Sequence, residues 1–233
     1  MNIETAQRDF GVTFSDSELL QSALTHRSYL NETPNPTVRD NERLEFLGDA
    51  VLDFITGEYL YHHFPDVKEG ELTSLRSALV RTEMLADFAG RINLGAHIFM
   101  GKGEEETGGR ERPAILCGAF EALVGALYLD QGLDAVRKLV TPFIEAEIGT
   151  ILRTKSHHDA KSRFQELAQS IHKITPHYKT IGEEGPDHNK TFTVAVYLDE
   201  TEYGRGKGSN KQRAAQAAAR VALAKLHAEV EES

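Results

Sequence analysis

The chain has 233 residues, 40% of them hydrophobic, and a net charge of −10, which suits one large domain or two smaller ones with sizeable cores. Its apolar runs fall far short of the ~20 residues a membrane span needs, and the polar start "MNIETAQRDF" has no signal-peptide core, so no membrane partner and a cytoplasmic location are expected. The single cysteine, Cys117, excludes an intrachain disulfide framework and zinc sites of the usual Cys/His spacing.

In chain order, Ser15 followed by Glu18 reads as a capping box that opens a helix through "DSELLQSALT". "NETPNPTVRD" (31–40) is a loop. A long helix is expected from about Asn41 to His63, stopped before Pro65, and another from about Gly70 to Ala89. "GKGEEETGGR" (101–110) reads as an acidic Gly-rich loop without the spacing of a phosphate-cradling P-loop. A helix from Pro113 to Asp130 starts on its proline, Gly132 breaks it, and a last helix covers Leu133 to Leu152. The His62–His63 and His157–His158 pairs read as surface histidines.

After the polar stretch 153–161 the pattern changes. "AKSRFQELAQSIH" is helical, with Phe164, Leu167, Ala168 and Ile171 on one face. "KTFTVAVYLD" alternates as a half-buried strand, with Phe192, Val194, Val196 and Leu198 on one side, and "HYKTIGEE" and "TEYGRG" flank it as weaker strands. An Ala-rich helix closes the chain. The fold class is therefore an all-α N-terminal domain followed by a small α+β domain in α-β-β-β-α order. The expected divisions are 1–153, a linker at 154–159, and 160–229. The charge divides too. Residues 1–158 hold 15 Lys and Arg against 25 Asp and Glu, whereas 159–233 hold 11 of each. Tyr203 to Lys225 carries six basic residues and no acid, a patch able to bind phosphate on an acidic chain.

The segment "NERLEFLGDA" (41–50) places acids inside a core-forming stretch. At about 100° per residue, Glu42, Glu45, Asp49 and Asp53 share one stripe roughly 80° wide, opposite Leu44, Leu47, Val51 and Ile55. A solvated face is the plain reading. However, Phe46 and Leu52 edge the stripe closely, and like charges at these spacings repel by ~0.2–0.5 kcal/mol per pair. A hard divalent cation such as Mg²⁺ would offset that repulsion, because it takes oxygen ligands. A second acid, Glu121, stands alone in the apolar run "ILCGAFEALVGALYLDQG", where it is costly unless metal-bound or paired. A salt bridge to Arg43 or Arg81 is the competing structural reading.

These segments resemble bacterial ribonuclease III. "NERLEFLGDAVL" (41–52) is similar to the signature helix of its nuclease domain. "LTHRSY" (24–29), "EGELTSLRSALV" (69–80) and "FEALVGALYLDQG" (120–132) resemble further blocks in the same order. "KSRFQELAQ" (161–169), "GPDHNKTFTV" (185–194) and "GKGSNKQRAAQAAA" (206–219) resemble a double-stranded-RNA-binding domain. The resemblance implies a homodimeric, Mg²⁺-dependent endoribonuclease, with Mn²⁺ able to substitute and no small-molecule cofactor. It would cut double-stranded RNA, leave 5′-phosphate and 3′-hydroxyl ends, and serve rRNA and other RNA processing. It assigns Glu45, Asp49 and Glu121 to the metal, and Asp49 and Glu121 to catalysis, with Glu42 and Glu69 joining the catalytic set as acids that support the site or its RNA contacts. It assigns RNA contacts to Gln165, Gln169, His188, Lys207, Lys211 and Arg213.

Two positions depart from the family pattern. Gly118 stands where the family commonly has a metal-ligating Asp, three residues before Glu121. Gln212 stands where a second basic residue follows Lys211, with Arg213 as a substitute about 100° further round the helix. The departure at Gly118 leaves an alternative open: a catalytically weakened or inactive protein that binds duplex RNA. A scaffold whose first domain serves only dimerisation is a third reading.

Overall fold

The computed structural model describes residues 3–33, 38–154, 160–185 and 190–231. The chain separates into two compact units, residues 1–157 and 158–233. The first holds nine helices among its described residues: α1 (Ile3–Phe10), α2 (Ser17–Ala23), α3 (Arg27–Glu32), α4 (Glu42–His63), α5 (Glu69–Leu79), α6 (Thr82–Arg91), α7 (Lys102–Glu106), α8 (Pro113–Gln131) and α9 (Leu133–Thr154), with two short 3₁₀ turns between α6 and α8. The second holds α10 (Ala160–Ile171), β1 (His177–Glu184), β2 (Thr191–Leu198), β3 (Thr201–Gly208) and α11 (Lys211–Glu231). All but Thr154 of the expected linker lies outside the described residues.

The core of the first unit forms around α8. Ala119, Phe120, Leu123, Val124 and Leu127 of α8 are fully buried, against Leu52 and Ile55 of α4 and Leu85 and Phe88 of α6. Each large side chain so buried contributes about 1.5–3 kcal/mol. Contrary to the sequence expectation that every apolar run is too short, α8 is the one described helix long and apolar enough to cross a membrane. Here its apolar surface faces other helices instead, as expected of a helix at the centre of a bundle. Pro113 opens it, and Gly132, at φ 79°, closes it.

The crossing of α4 over α8 is closer than ordinary side chains allow. A Cβ on Gly48 would lie 1.8 Å from the carbonyl oxygen of Glu121, and one on Gly125 would lie 2.3 Å from the carbonyl oxygen of Leu44. The two backbones therefore touch through their glycines. Glu45 and Asp49 flank Gly48, and Glu121 stands one turn before Gly125, so the crossing brings acids from both helices to one place.

Several local expectations need correction. α2 is capped by Asp16, whose carboxylate accepts from Glu18 N and Leu19 N, and not by Ser15, whose own N–H donates to Asp130. Residues 31 and 32, read as loop, end α3, and residues 34–37 lie outside the described region. The helix expected over 70–89 is two helices, broken at Val80–Arg81. On a straight helix, Leu75 and Leu79 would face about 180° away from Met84 and Phe88. All four are buried, and the break turns both segments toward one core. The acidic loop at 101–110 contains α7, whose N-terminal N–H groups at Lys102 and Gly103 donate to the Glu32 carboxylate. His62 and His63 are exposed as expected, and His157–His158 lie outside the described residues.

In the second unit the three strands form an antiparallel sheet in the order β1-β2-β3. Val194, Val196 and Leu198 pack against Phe164 and Ala168 of α10 and against Ala214, Ala218, Ala222 and Leu226 of α11. Ile171, expected on the same face as Phe164, is exposed at the end of α10. The alanines of α11 recur every four residues, so a smooth stripe lies on β3. Gly206 completes the fit, since a Cβ there would meet the backbone nitrogen of Ala218 at 2.2 Å.

Gly48→Ala should destabilise the first unit by about 1–3 kcal/mol or more, the cost of forcing atoms into a packed contact. Gly90→Ala in α6, where a Cβ meets nothing within 4 Å, should not destabilise it. Urea unfolding of the full chain followed by circular dichroism reads both, and equal effects would contradict the backbone contact.

Candidate functional site

Beside the crossing lies a cavity of about 520 Å³ lined by Glu42, Glu45, Phe46, Asp49 and Glu121. The α4 acids reach it because the opposite face of that helix is anchored by Leu44, Val51, Leu52 and Ile55. Glu42 and Glu45 sit in the first turn of α4, where the helix dipole favours negative charge. Asn41, buried at the start of α4, donates its N–H to the carbonyl of Thr25 and so ties the acidic end to the segment before α3.

Four carboxylates around one cavity repel one another. Burial, then the charges of Asp49 and Glu45, push the Glu121 carboxyl up to about 7. Burial, then Glu42 and Asp49, raise Glu45 as well. Among the described residues, Glu121 makes no ion pair with Arg43 or Arg81. Its neighbour within reach is the thiol of Cys117, one turn earlier, which hydrogen-bonds it. Burial and the Glu121 and Glu45 charges push that thiol up to about 12, so beside these carboxylates it is neutral.

The donor set fits a hard divalent cation. It is all carboxylate oxygen, it includes a half-buried acid with no cationic partner, and its charges destabilise one another until a cation joins them. As they stand, no three His, Cys, Asp or Glu side chains among the described residues are close enough to share an ion. Gly118 bears on this arrangement. A Cβ there would lie 2.8 Å from Oε2 of Glu45, so the Glu45 carboxylate leans into the space that an α8 side chain would fill.

The acids expected from the sequence do not all meet. Glu42, Glu45, Asp49 and Glu121 share the cavity. Glu69 opens α5 as an exposed residue and does not line it. Asp53, the fourth member of the stripe, faces Arg76 of α5 at 3.7 Å and so belongs to the fold. Glu42 also takes the Arg27 guanidinium at 3.3 Å, which sets a cation at the rim of the acidic cavity.

Some features went unread in the sequence. Phe46 is 81% exposed and Leu129 53% exposed, and a second cavity of about 1130 Å³ runs past both, with Leu19, Leu30, Leu44 and Leu47 in its wall. Phe46 and Glu42 line both cavities. Helical angles had put Phe46 at the edge of the stripe without showing that it is bare. The roles of Gly48 and Gly125 carried no signal of their own.

In the second unit, Gln165 and Gln169 are exposed one turn apart on α10, and Lys207, Lys211 and Arg213 are exposed on β3 and at the start of α11. Asn210 caps α11 by accepting from Arg213 N. The Arg213 guanidinium donates to Ser209 Oγ at 3.3 Å. His188 lies outside the described residues.

A family model described as "Ribonuclease-III-like" matches residues 16–167, and one for the double-stranded RNA binding motif matches residues 160–226. The chain is 48% identical over 224 residues to a Ribonuclease 3 of Roseiflexus sp., covering 95% of this chain and 94% of that protein. It is 44% identical over 223 residues to a Ribonuclease 3 of Geobacter sulfurreducens, covering 96% and 90%. Among solved structures, the nuclease domain of ribonuclease III from Campylobacter jejuni, described for flexibility in a region involved in dimer formation, is 43% identical with a TM-score of 0.57. It covers 62% of this chain and 97% of that one.

Glu121 gives the site a pH signature. Folding raises its pKa from 4.5 to about 7, so the folded chain holds this proton more tightly than the unfolded chain does. Its contribution to stability is full below 4.5 and is lost as pH rises through about 7. Glu121→Gln in EDTA should therefore gain in melting temperature over the unaltered chain by more at about pH 8 than at about pH 5. Differential scanning calorimetry reads the gap, and an equal gap at both values would contradict the placement of Glu121.

Proposed function

The chain belongs to the ribonuclease III family, and on that footing we propose that it is an endoribonuclease that hydrolyses phosphodiester bonds in double-stranded RNA. The observation that carries the reading is the convergence of Glu45 and Asp49 with Glu121 on one cavity, in a chain that also has a double-stranded RNA binding motif. Glu45, Asp49 and Glu121 would hold Mg²⁺, with Mn²⁺ as a substitute. When bound, such a cation supplies positive charge for the developing negative charge at phosphorus and acidifies the attacking water.

The protein's own groups supply position and environment. Asp49 and Glu45 are held by a helix whose other side is locked in the core. Glu121 is fixed by the apolar surface of α8, in a pocket where burial strengthens electrostatic interaction. Glu42 at the rim, with its Arg27 partner, can orient the substrate backbone. We assign Glu69, which stands apart from this cavity, to substrate contact or support and not to the metal. The products would carry 5′-phosphate and 3′-hydroxyl ends.

The proposed assembly is a homodimer. A bare phenylalanine beside a partly apolar cavity marks an interaction surface, and Phe46 and the cavity past Leu129 lie on the same face. A pair of sites, one per copy, would let each strand of a duplex be cut. The alternative of RNA binding without cleavage rests on Gly118 alone. It is not favoured, because three carboxylates from two helices remain and Mg²⁺ completes its shell with water.

Asp49→Asn should lower cleavage of a long perfect RNA duplex by roughly 10²–10³-fold while leaving duplex binding in EDTA within about twofold of the unaltered chain. Gel assays of cleavage with Mg²⁺, with an EDTA control, and filter-binding in EDTA give the two readings. Normal cleavage by this variant, or cleavage that persists in EDTA, would contradict the proposal.

A further inference from the structure

Glu183 and Glu184, adjacent at the end of β1, are used neither by the core nor by the chemistry proposed above. Across the β1–β2 pair, Glu183 faces Phe192 and Glu184 faces Thr191. Side chains alternate between the two faces of a sheet, and Phe192 shares its face with Val194 and Val196, the face that α10 and α11 cover. Glu183 therefore projects toward the helices and Glu184 toward the open side. The irregularity between Thr180 and Gly182 sets this parity.

Each acid meets a lysine assigned to RNA. The ammonium of Lys211, the first residue of α11, lies 3.5 Å from Oε1 of Glu183 and 5.7 Å from the centre of the Phe192 ring. Lys207 of β3, which faces Thr193, lies 3.5 Å from Oε2 of Glu184. Lys190 approaches the other oxygen of Glu183 at 3.6 Å. A carboxylate oxygen thus lies within ion-pair distance of each lysine ammonium, the group that a phosphate would need. These pairs are exposed, so each is weak and readily exchanged. They also lower the positive charge that the duplex meets, and with it the counterions released on binding.

We propose that Glu183 and Glu184 are built-in competitors for RNA phosphates, holding Lys207 and Lys211 in the RNA-free state and setting the duplex affinity of the second unit below what its lysines alone would give. The proposal rests on the assignment of those lysines to phosphate. An exposed pair shifts an equilibrium by roughly 1.5- to 5-fold, so neutralising both acids has a measurable effect.

The test uses the full chain and a perfect RNA duplex of about 30 base pairs, bound in EDTA over a range of salt so that the duplex stays intact. The double variant Glu183→Gln, Glu184→Gln should bind roughly 2- to 25-fold more tightly at low salt, with a log–log salt dependence steeper by up to ~2. Unchanged or weaker binding overturns the proposal. The double variant Lys207→Ala, Lys211→Ala tells this failure apart from failure of the underlying assignment. A loss of roughly tenfold or more supports the lysines as phosphate contacts, and unaltered binding removes that assignment and the proposal with it.

Discussion

The first unit depends on one steric fact: α4 and α8 touch backbone to backbone at Gly48 and Gly125. Their would-be Cβ atoms fall 1.8 Å and 2.3 Å from carbonyl oxygens of the opposite helix. Packing through larger side chains would hold the axes at the ordinary 8–10 Å or so and move Glu121 away from the α4 acids. The close crossing lets Glu45 and Asp49 on one helix and Glu121 on the other share a cavity. It also makes the site unfavourable by itself, because carboxylates brought together repel and Glu121 is half-buried. That cost is met by the core on the far side of α4 and by the apolar surface of α8. Under the proposed function, a divalent cation bound among these carboxylates would offset their repulsion.

Gly118 fits the same account. A side chain at that position would stand against Glu45, whose Oε2 lies 2.8 Å from the would-be Cβ. The resemblance implies an acid at this position, and in its place the Glu45 carboxylate lies against the glycine. The far end of a glutamate is flexible, so an added side chain would displace it at low cost. Four carboxylates, Glu42, Glu45, Asp49 and Glu121, therefore line one cavity without an acid at position 118. The thiol of Cys117, pushed up to about 12 by burial and the Glu121 and Glu45 charges, is neutral beside Glu121.

Much of this was legible in the sequence, for physical reasons that differ by element. The long helix at 42–63 and the strand at 191–198 show clear periodicity, so their faces follow from geometry. Glu42, Glu45 and Asp49 were placed together by helical angle alone, and Glu121 stood out as a lone acid in an apolar run. Asp53 shares that angle but pairs with Arg76 of another helix, which no single-helix argument can show. The break at Val80–Arg81 has no proline or glycine to mark it, because it is imposed by the need to bury residues on opposite sides of one helix. The exposure of Phe46, the glycine contact and the pairing of Glu183 and Glu184 with lysines all depend on distant segments meeting. The family resemblance supplied roles that periodicity could not, while the placement of Glu69 away from the cavity is visible only in three dimensions.

The central claim is that two helices crossing at glycine make a single cation site from Asp49 on one and Glu121 on the other. Mn²⁺ binding by isothermal titration calorimetry to the unaltered chain, Asp49→Asn, Glu121→Gln and the double variant tests it most directly, because groups on one ion are energetically coupled and groups on separate sites are not. The account predicts that the combined loss in binding free energy departs from the sum of the single losses by about 0.5–3 kcal/mol. Losses that add to within about 0.5 kcal/mol would mean that the two carboxylates act independently, and the account would be wrong.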